Sequence, residues 1–157
     1  DAPLEQGTEV NLHWPALITE DYLPEINGRL VLYKRIAAAS SDTQLRELQV
    51  EMIDRFGLLP PQVNNLFQTA RLRIRADQLG IRSVEAGAEG GTIEFKESTR
   101  VNPLSLVKLV QSDPQSFKLA GATRLRFQRE LADTGKRQQY VEQLLQSFAT
   151  DATEDAA

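Results

Sequence analysis

The sequence predicts an α+β domain in which a small mixed sheet is packed by helices. Two kinds of hydrophobic spacing occur along the chain. Alternation over a few residues is typical of strands, and recurrence every three or four residues over a longer run is typical of amphipathic helices. The two patterns do not alternate regularly, which disfavours a doubly wound parallel sheet. The predicted order is an N-terminal strand, three helices, a β-hairpin, a short helix, a second β-hairpin and a C-terminal helix.

The first predicted elements are a strand and a helix. Residues 1–8 show no periodicity and are typical of a linker or lead-in, so the domain is expected to start near residue 9. Apolar and polar residues alternate from Val10 to Trp14, which predicts a short strand. Helical spacing begins at Pro24, a residue tolerated in the first turn of a helix, and predicts the first helix over 24–39.

Capping signals mark both ends of the second helix, predicted over 42–56. Ser41 with Gln44 three residues later has the form of a capping box, in which the hydroxyl accepts from an otherwise unpaired backbone amide. Gly57 and the prolines after it supply the stop signal.

Three acidic residues share the outward face of this second helix. Angles around the helix axis are measured from Leu45 at about 100° per residue. The apolar residues then lie within about 60° of Leu45, whereas Glu47, Glu51 and Asp54 lie at about 200°, 240° and 180°. Val50 lies at the margin of that face, at about 140°. Solvated surface is the simple explanation, and the functional one is that these carboxylates accept bidentate hydrogen bonds from arginines of a partner.

The middle of the chain predicts a helix followed by a hairpin. A third helix begins at Pro60 or Pro61 and breaks at Gly80. Residues 81–86 and 92–96 then alternate around a glycine-rich segment, which predicts two strands joined by a loop of about five residues.

The last third predicts a short helix, a second hairpin and a final helix. The short helix begins at Pro103 and ends near Asp113. The two strands of the second hairpin lie on either side of Gly121. The final helix is predicted over 134–149, and residues 150–157 are expected to form a flexible acidic tail.

Composition excludes several classes of protein. The 157 residues are 41% hydrophobic and 25% charged, which is typical of a globular domain. The apolar runs are far shorter than the roughly 18 residues of a membrane helix.

The sequence has no cysteine, which favours a reducing compartment, and the expected location is the cytoplasm. Because the chain begins with Asp1 rather than methionine, it is expected to be a fragment of a longer protein.

Charge is unevenly distributed. Residues 1–61 carry 10 acids and 5 bases, and residues 98–149 carry 4 acids and 8 bases, with a net charge of −4 over the chain. This balance argues against a protein that depends on attraction to phosphates. The basic last third still leaves an alternative function, an auxiliary DNA-contacting domain that uses Arg124 and Arg126, which point the same way on one strand.

No catalytic or metal-binding constellation is present in the sequence. The single histidine, His13, has no sequence-local partner, and the carboxylates lack EF-hand spacing. The glycine-rich segment Gly87–Gly91 joins two strands instead of opening a helix, so it does not predict a phosphate-binding loop. We therefore expect no catalytic residue, no metal and no cofactor.

Several stretches, in order, resemble the C-terminal domain of the bacterial transcription-repair coupling factors (Mfd). The likeness covers about residues 9–149. It is carried by the run Arg29–Ile36, by Glu51-x-x-Asp54-Arg55-Phe56-Gly57-x-x-Pro60, by Leu79-Gly80-Ile81, by Gly91–Phe95 and by Gly121-x-Thr123-Arg124-Leu125.

The resemblance implies a function for the chain as a part of a larger protein. The parent is implied to be an ATP-driven DNA translocase that removes stalled RNA polymerase from damaged DNA and recruits nucleotide-excision repair through UvrA. The C-terminal domain is implied to be a non-catalytic regulatory module that clamps the parent's UvrB-like module and masks UvrA binding. In that family the acids of the motif face arginines of the UvrB-like module, and they map onto Glu51 and Asp54.

Overall fold

A computed structural model describes the backbone of residues 7–156 and the side chains of residues 7–149. Most of the predicted lead-in lies outside the described residues. Thr8, its last residue, is buried and donates a hydrogen bond to the carbonyl oxygen of Ile81 over 2.8 Å, so this residue is part of the fold.

The predicted α+β class and the order of elements are confirmed. In chain order the elements are β1 (Glu9–Asn11), α1 (Ile26–Ala38), α2 (Asp42–Phe56), α3 (Pro61–Gln78), β2 (Ile81–Gly87), β3 (Gly90–Phe95), α4 (Pro103–Ser112), β4 (Phe117–Leu119), β5 (Arg124–Gln128) and α5 (Thr134–Ala156). The first strand is shorter than predicted, because His13 adopts a φ of 52° that interrupts extended backbone.

The strands of the described residues form one five-stranded mixed sheet in the order β1-β2-β3-β5-β4. β1 pairs with β2 in parallel, and the other neighbours are antiparallel. The predicted five-residue loop of the first hairpin is wrong, because Gly87 pairs with Gly90 and only residues 88 and 89 connect the strands. Glycine is required inside the ladder here: a Cβ on Gly91 would lie 1.8 Å from the carbonyl oxygen of Glu85.

The final helix is longer than predicted. α5 continues to Ala156 instead of ending near residue 149. The segment after 149 has no glycine or proline to stop a helix, so the acidic residues there continue it. The side chains of 150–157 lie outside those described, and the flexible tail stays a prediction.

The chain divides into two compact units, residues 14–74 and residues 1–13 with 75–157. The single regulatory domain expected over 9–149 stays a prediction.

The unit of residues 14–74 is helical and is organised around one apolar core. The core of α1, α2 and the first part of α3 comprises the buried residues Ile18, Leu23, Leu32, Ile36, Ala39, Leu45, Leu48, Met52, Val63, Phe67, Ala70 and Ile74. Trp14 belongs to this unit, where its indole Nε1 donates to the hydroxyl of Thr69 over 2.9 Å. The chain's only tryptophan therefore reports on this core.

The other unit contains the sheet, α4 and α5. Val84, Ile93 and Leu125 are buried at alternating positions of the central strands. Phe95 packs edge-on against Phe148 of α5, with ring centroids 5.9 Å apart. This unit therefore builds its core between the sheet and α5.

A buried arginine ties the exit of β1 to the beginning of α5. Arg137 is 5% exposed, and its guanidinium donates to the carbonyl oxygens of Leu131, Leu12 and His13 over 3.0, 2.7 and 3.2 Å. Because a buried guanidinium is costly unless it is hydrogen-bonded, these carbonyls define its role as structural.

Candidate docking surface on α2

The two ends of α2 are fixed by local hydrogen bonds. The Ser41 hydroxyl accepts from the backbone amide of Gln44 over 3.2 Å, as the capping box predicts. The Gln44 side chain accepts from the amide of Ser40 over 2.8 Å, one residue before the position expected for a capping box. At the other end Gly57 has a φ of 98° and its amide donates to the carbonyl of Ile53 over 2.9 Å.

The inner face of α2 is committed to the core of its unit. Leu45 and Met52 have no exposed surface, and Leu48 is also buried. Phe56 is half-buried and packs edge-on against Tyr22, with centroids 5.9 Å apart. This face is therefore unavailable to a partner.

The outer face carries the four residues predicted from the helical geometry. Glu47, Val50 and Asp54 are exposed, and Glu51 is half-buried. Val50 is 58% exposed, and Ile53 beside it is 38% exposed, so two apolar side chains lie among the acids. A surface that combines unburied apolar groups with carboxylates is suited to contact with another macromolecule.

Glu51 is held by arginines of its own chain. Arg35 of α1 donates from Nη1 to Oε2 and from Nη2 to Oε1 of Glu51, both over 2.8 Å, and Arg55 donates from Nη1 to Oε2 over 3.4 Å. The hydrogen bonds from Arg35 lower the pKa of Glu51 to about 2, and its charge and that of Arg55 act in the same direction. The same pairing raises the pKa of Arg35.

The other two acids have no such neighbour. The side chains of Glu47 and Asp54 make no hydrogen bond or ion pair with the described residues. The three acids and the two arginines beside Glu51 together carry one net negative charge. Free acceptors for a partner's guanidinium are therefore concentrated on Glu47 and Asp54.

Sequence reasoning missed the two arginines around Glu51. Arg55 follows Glu51 by four residues, a spacing that places opposite charges side by side on a helix, so it could have been found. Arg35 lies on α1, and only the packing of two helices brings it to Glu51. A groove of about 360 Å³ lies beside this pair and is lined by residues of both helices, among them Ala38, Ala39 and Leu48.

The residues of the alternative, DNA-contacting function are differently engaged. Arg124 donates from Nε to Oε1 of Glu94 over 2.9 Å, so its charge is compensated within the sheet. Arg126 is exposed and lies directly opposite Lys118 on β4. The pair predicted from sequence is therefore reduced to one uncompensated arginine.

The remaining candidate for chemistry is His13, which contacts a single carboxylate. His13 is half-exposed, and its Nε2 lies 2.8 Å from Oε2 of Glu85. No group of three or more His, Asp or Glu side chains suited to hold a metal ion occurs among the described residues. In that same part of the chain, no helix has the length and apolar character to cross a membrane.

Comparison with known proteins identifies the family. The family model of the TRCF domain matches residues 12–106. The transcription-repair-coupling factor of Escherichia coli (strain K12) is 45% identical over 147 residues, which is 94% of this chain. The chain belongs to the transcription-repair coupling factor family. The coupling factor of Haemophilus influenzae is 41% identical over 92% of this chain. The resemblance noted from the motifs is thus confirmed.

A solved structure has the same fold. The crystal structure of a C-terminal domain of transcription-repair coupling factor has a TM-score of 0.68 to this chain at 22% identity, and the match covers 92% of this chain and 95% of that one. The chain has the fold of that domain. It spans 13% of the length of the E. coli and H. influenzae coupling factors.

Proposed function

We propose that this chain is a non-catalytic regulatory module that clamps the UvrB-like module of its parent coupling factor. The clamp masks the surface that UvrA binds until the parent, an ATP-dependent DNA translocase, engages stalled RNA polymerase on damaged DNA. The observation that carries this proposal is the division of α2 into a buried inner face and an exposed outer face with uncompensated carboxylates at Glu47 and Asp54. The expected location is the cytoplasm.

The outer face of α2 has the chemistry to receive arginines. A carboxylate accepts two parallel hydrogen bonds from a guanidinium, and such pairs are directional as well as attractive. Val50 and Ile53 would lose their exposure to water in the contact and would partly desolvate the ion pairs next to them.

The contact is expected to be weak by itself and effective because it is tethered. An exposed ion pair contributes up to about 1 kcal/mol, so two pairs with Asp54 and Glu47 contribute at most about 2 kcal/mol. Within one polypeptide the effective concentration of the two surfaces is high, which turns a weak contact into a mostly closed state. A weak contact is also reversible, and rearrangement of the parent shifts the population to the open state.

Capture of UvrA by the full-length parent protein tests the proposal. We expect the variant Glu51→Ala with Asp54→Ala to capture more UvrA than wild type, since the clamp opens more often. The matched control is Glu20→Ala with Asp21→Ala, which removes two exposed acids of the same unit in the segment before α1. If the folded α2 variant captures as much UvrA as wild type, the outer face of α2 takes no part in masking UvrA binding.

Single substitutions refine this test. Asp54→Asn removes one uncompensated negative charge and one of the two acceptor oxygens of that side chain. Glu51→Gln also leaves the guanidinium groups of Arg35 and Arg55 without their acid, and these would repel arginines of the partner. We therefore expect the parent protein with Glu51→Gln to capture more UvrA than the parent protein with Asp54→Asn. The opposite order would mean that Glu51 serves only to hold Arg35.

The alternative function, an auxiliary DNA-contacting domain, has weaker support. Of the two arginines on β5, Arg124 already pairs with Glu94. DNA contact predicts binding of duplex DNA by this chain that weakens steeply with salt. Absence of binding at low salt would eliminate it.

A further inference from the structure

Glu51 already uses most of its hydrogen-bonding capacity within its own chain. Arg35 donates to both of its oxygens, each over 2.8 Å, and Arg55 shares Oε2 over 3.4 Å. A carboxylate offers about two lone pairs on each oxygen, so Oε2 is filled and Oε1 has about one site left. An arginine that binds through two parallel hydrogen bonds needs a site on each oxygen. A partner's guanidinium can therefore pair with Glu51 in this way only if Arg35 leaves.

The pair of Arg35 with Glu51 can be exchanged for another pair. The two side chains are 45% and 37% exposed, so water reaches both. An ion pair at this exposure stabilises a protein only weakly. Once displaced, the guanidinium of Arg35 is hydrated instead of being buried without a partner. Its replacement by an arginine of another surface therefore costs little.

The groove beside this pair has room for the incoming side chain. It measures about 360 Å³ and is lined, besides the pair itself, by Ala38, Ala39, Gln44, Glu47 and Leu48. A space of this size holds several water molecules and hence a side chain as long as arginine. The alanines and the leucine give its methylene groups apolar surface to lie on, while its charged end reaches Glu51. The exchange therefore needs no separation of α1 from α2.

We infer that Arg35 competes with the UvrB-like module for Glu51. Arg35 holds Glu51 while the clamp is open, and an arginine of that module enters the groove and displaces it when the clamp closes. The inference rests on the proposed function. Because one ion pair replaces another, Glu51 contributes to closure only the difference between them, whereas Glu47 and Asp54 contribute their full pairs. Arg35 therefore weakens the clamp and favours the open state.

The affinity of UvrA for the full-length parent protein tests this competition. Arg35→Gln frees Glu51 for the partner, so the closed state is favoured and UvrA is expected to bind up to about fivefold more weakly than to wild type. A purely structural Arg35 predicts the opposite sign, because an α2 face that α1 no longer holds would form a looser clamp. Tighter or unchanged UvrA binding by folded Arg35→Gln would overturn the inference.

Two variants separate competition from the loss of a positive charge. Arg35→Lys keeps the charge but cannot form two parallel hydrogen bonds, so it is expected to shift UvrA affinity in the same direction as Arg35→Gln. Lys34→Gln is the matched control, because Lys34 is the preceding residue of α1, is exposed, and its side chain makes no hydrogen bond or ion pair with the described residues. This control should bind UvrA as wild type does. If Arg35→Lys has the wild-type affinity, or if Lys34→Gln acts as strongly as Arg35→Gln, charge alone explains the effect and the inference is wrong.

A leucine at position 38 tests entry through the groove. Ala38→Leu narrows the groove without changing its charge. Added to Arg35→Gln, it keeps the partner's arginine from the freed Glu51 and is expected to restore UvrA binding to the wild-type affinity. Ala37→Leu is the matched control, since Ala37 is exposed on the same helix and does not line the groove, and it should leave the weakened binding in place. Equal effects of the two leucines would overturn entry through the groove.

The variant Glu47→Gln with Asp54→Asn separates failure of this inference from failure of the clamp, because it leaves Arg35 and Glu51 unchanged. If that variant binds UvrA more tightly than wild type while Arg35→Gln does not bind it more weakly, the clamp stands and the competition is wrong. If both variants bind UvrA as wild type does, the clamp is wrong, and so is the competition that rests on it.

Discussion

The division of α2 between folding and docking predicts opposite results for two substitutions on the same helix. Leu45→Ala removes three carbon atoms from a side chain with no exposed surface. At about 0.8 kcal/mol for each buried carbon and with a further term for the cavity, the expected loss is about 3 kcal/mol. Asp54→Asn changes an exposed side chain without a partner and is expected to alter stability by less than about 0.5 kcal/mol.

Urea unfolding followed by tryptophan fluorescence measures both effects. Trp14 is the only tryptophan and lies in the same unit as α2, so its emission reports on the core that Leu45 fills. We expect the midpoint to fall sharply for Leu45→Ala and to stay near wild type for Asp54→Asn, with similar slopes. A loss for Asp54→Asn that approaches the loss for Leu45→Ala would refute the reasoning, because the outer face would then be structural.

Three further predictions concern single features of the fold. The pKa of Glu51, about 2, is expected to rise toward 4.5 in Arg35→Gln, as measured by NMR titration of the side-chain carboxyl. Because this pKa is depressed in the folded state, the pair stabilises wild type above about pH 4.5, and the contribution is lost as the pH falls to about 2; Arg35→Gln should flatten that dependence. Arg137→Met leaves buried carbonyls unpaired and should cost at least about 2 kcal/mol in urea unfolding followed by circular dichroism. Gly91→Ala places a Cβ against a strand carbonyl and should lower the melting temperature of the sheet, whereas an unchanged melting temperature would contradict the register.

The parts of the fold that could be predicted are those with local causes. The bounds of α2 agree between sequence and structure, since Ser41, Gln44 and Gly57 act on their immediate neighbours. Glycines 90 and 91 mark a turn in the sequence, yet both lie in the ladder of β3, because the close approach of neighbouring backbone requires them there. For Gly90 that requirement comes from Phe127 of β5, which is distant in sequence, and for Gly91 it comes from Glu85 of the paired strand β2. Neither contact is visible in local spacing.

The candidate site could be predicted in its direction but not in its pairing. Helical periodicity alone places Glu47 and Asp54 outward. The bidentate pair of Arg35 with Glu51 joins residues on different helices, so no local sequence pattern predicts it. Tertiary packing therefore decides which of the three acids is free to receive a partner.

The most direct measurement of the central claim is the equilibrium affinity of UvrA for the full-length parent protein, compared between wild type and the variant Glu47→Gln with Asp54→Asn. Loss of two exposed pairs weakens the clamp by up to about 2 kcal/mol, so UvrA is expected to bind up to about 30-fold more tightly to the variant. The control variant Glu20→Gln with Asp21→Asn should bind as wild type does. Equal UvrA affinity of the α2 variant and wild type, with both proteins folded, would contradict the account.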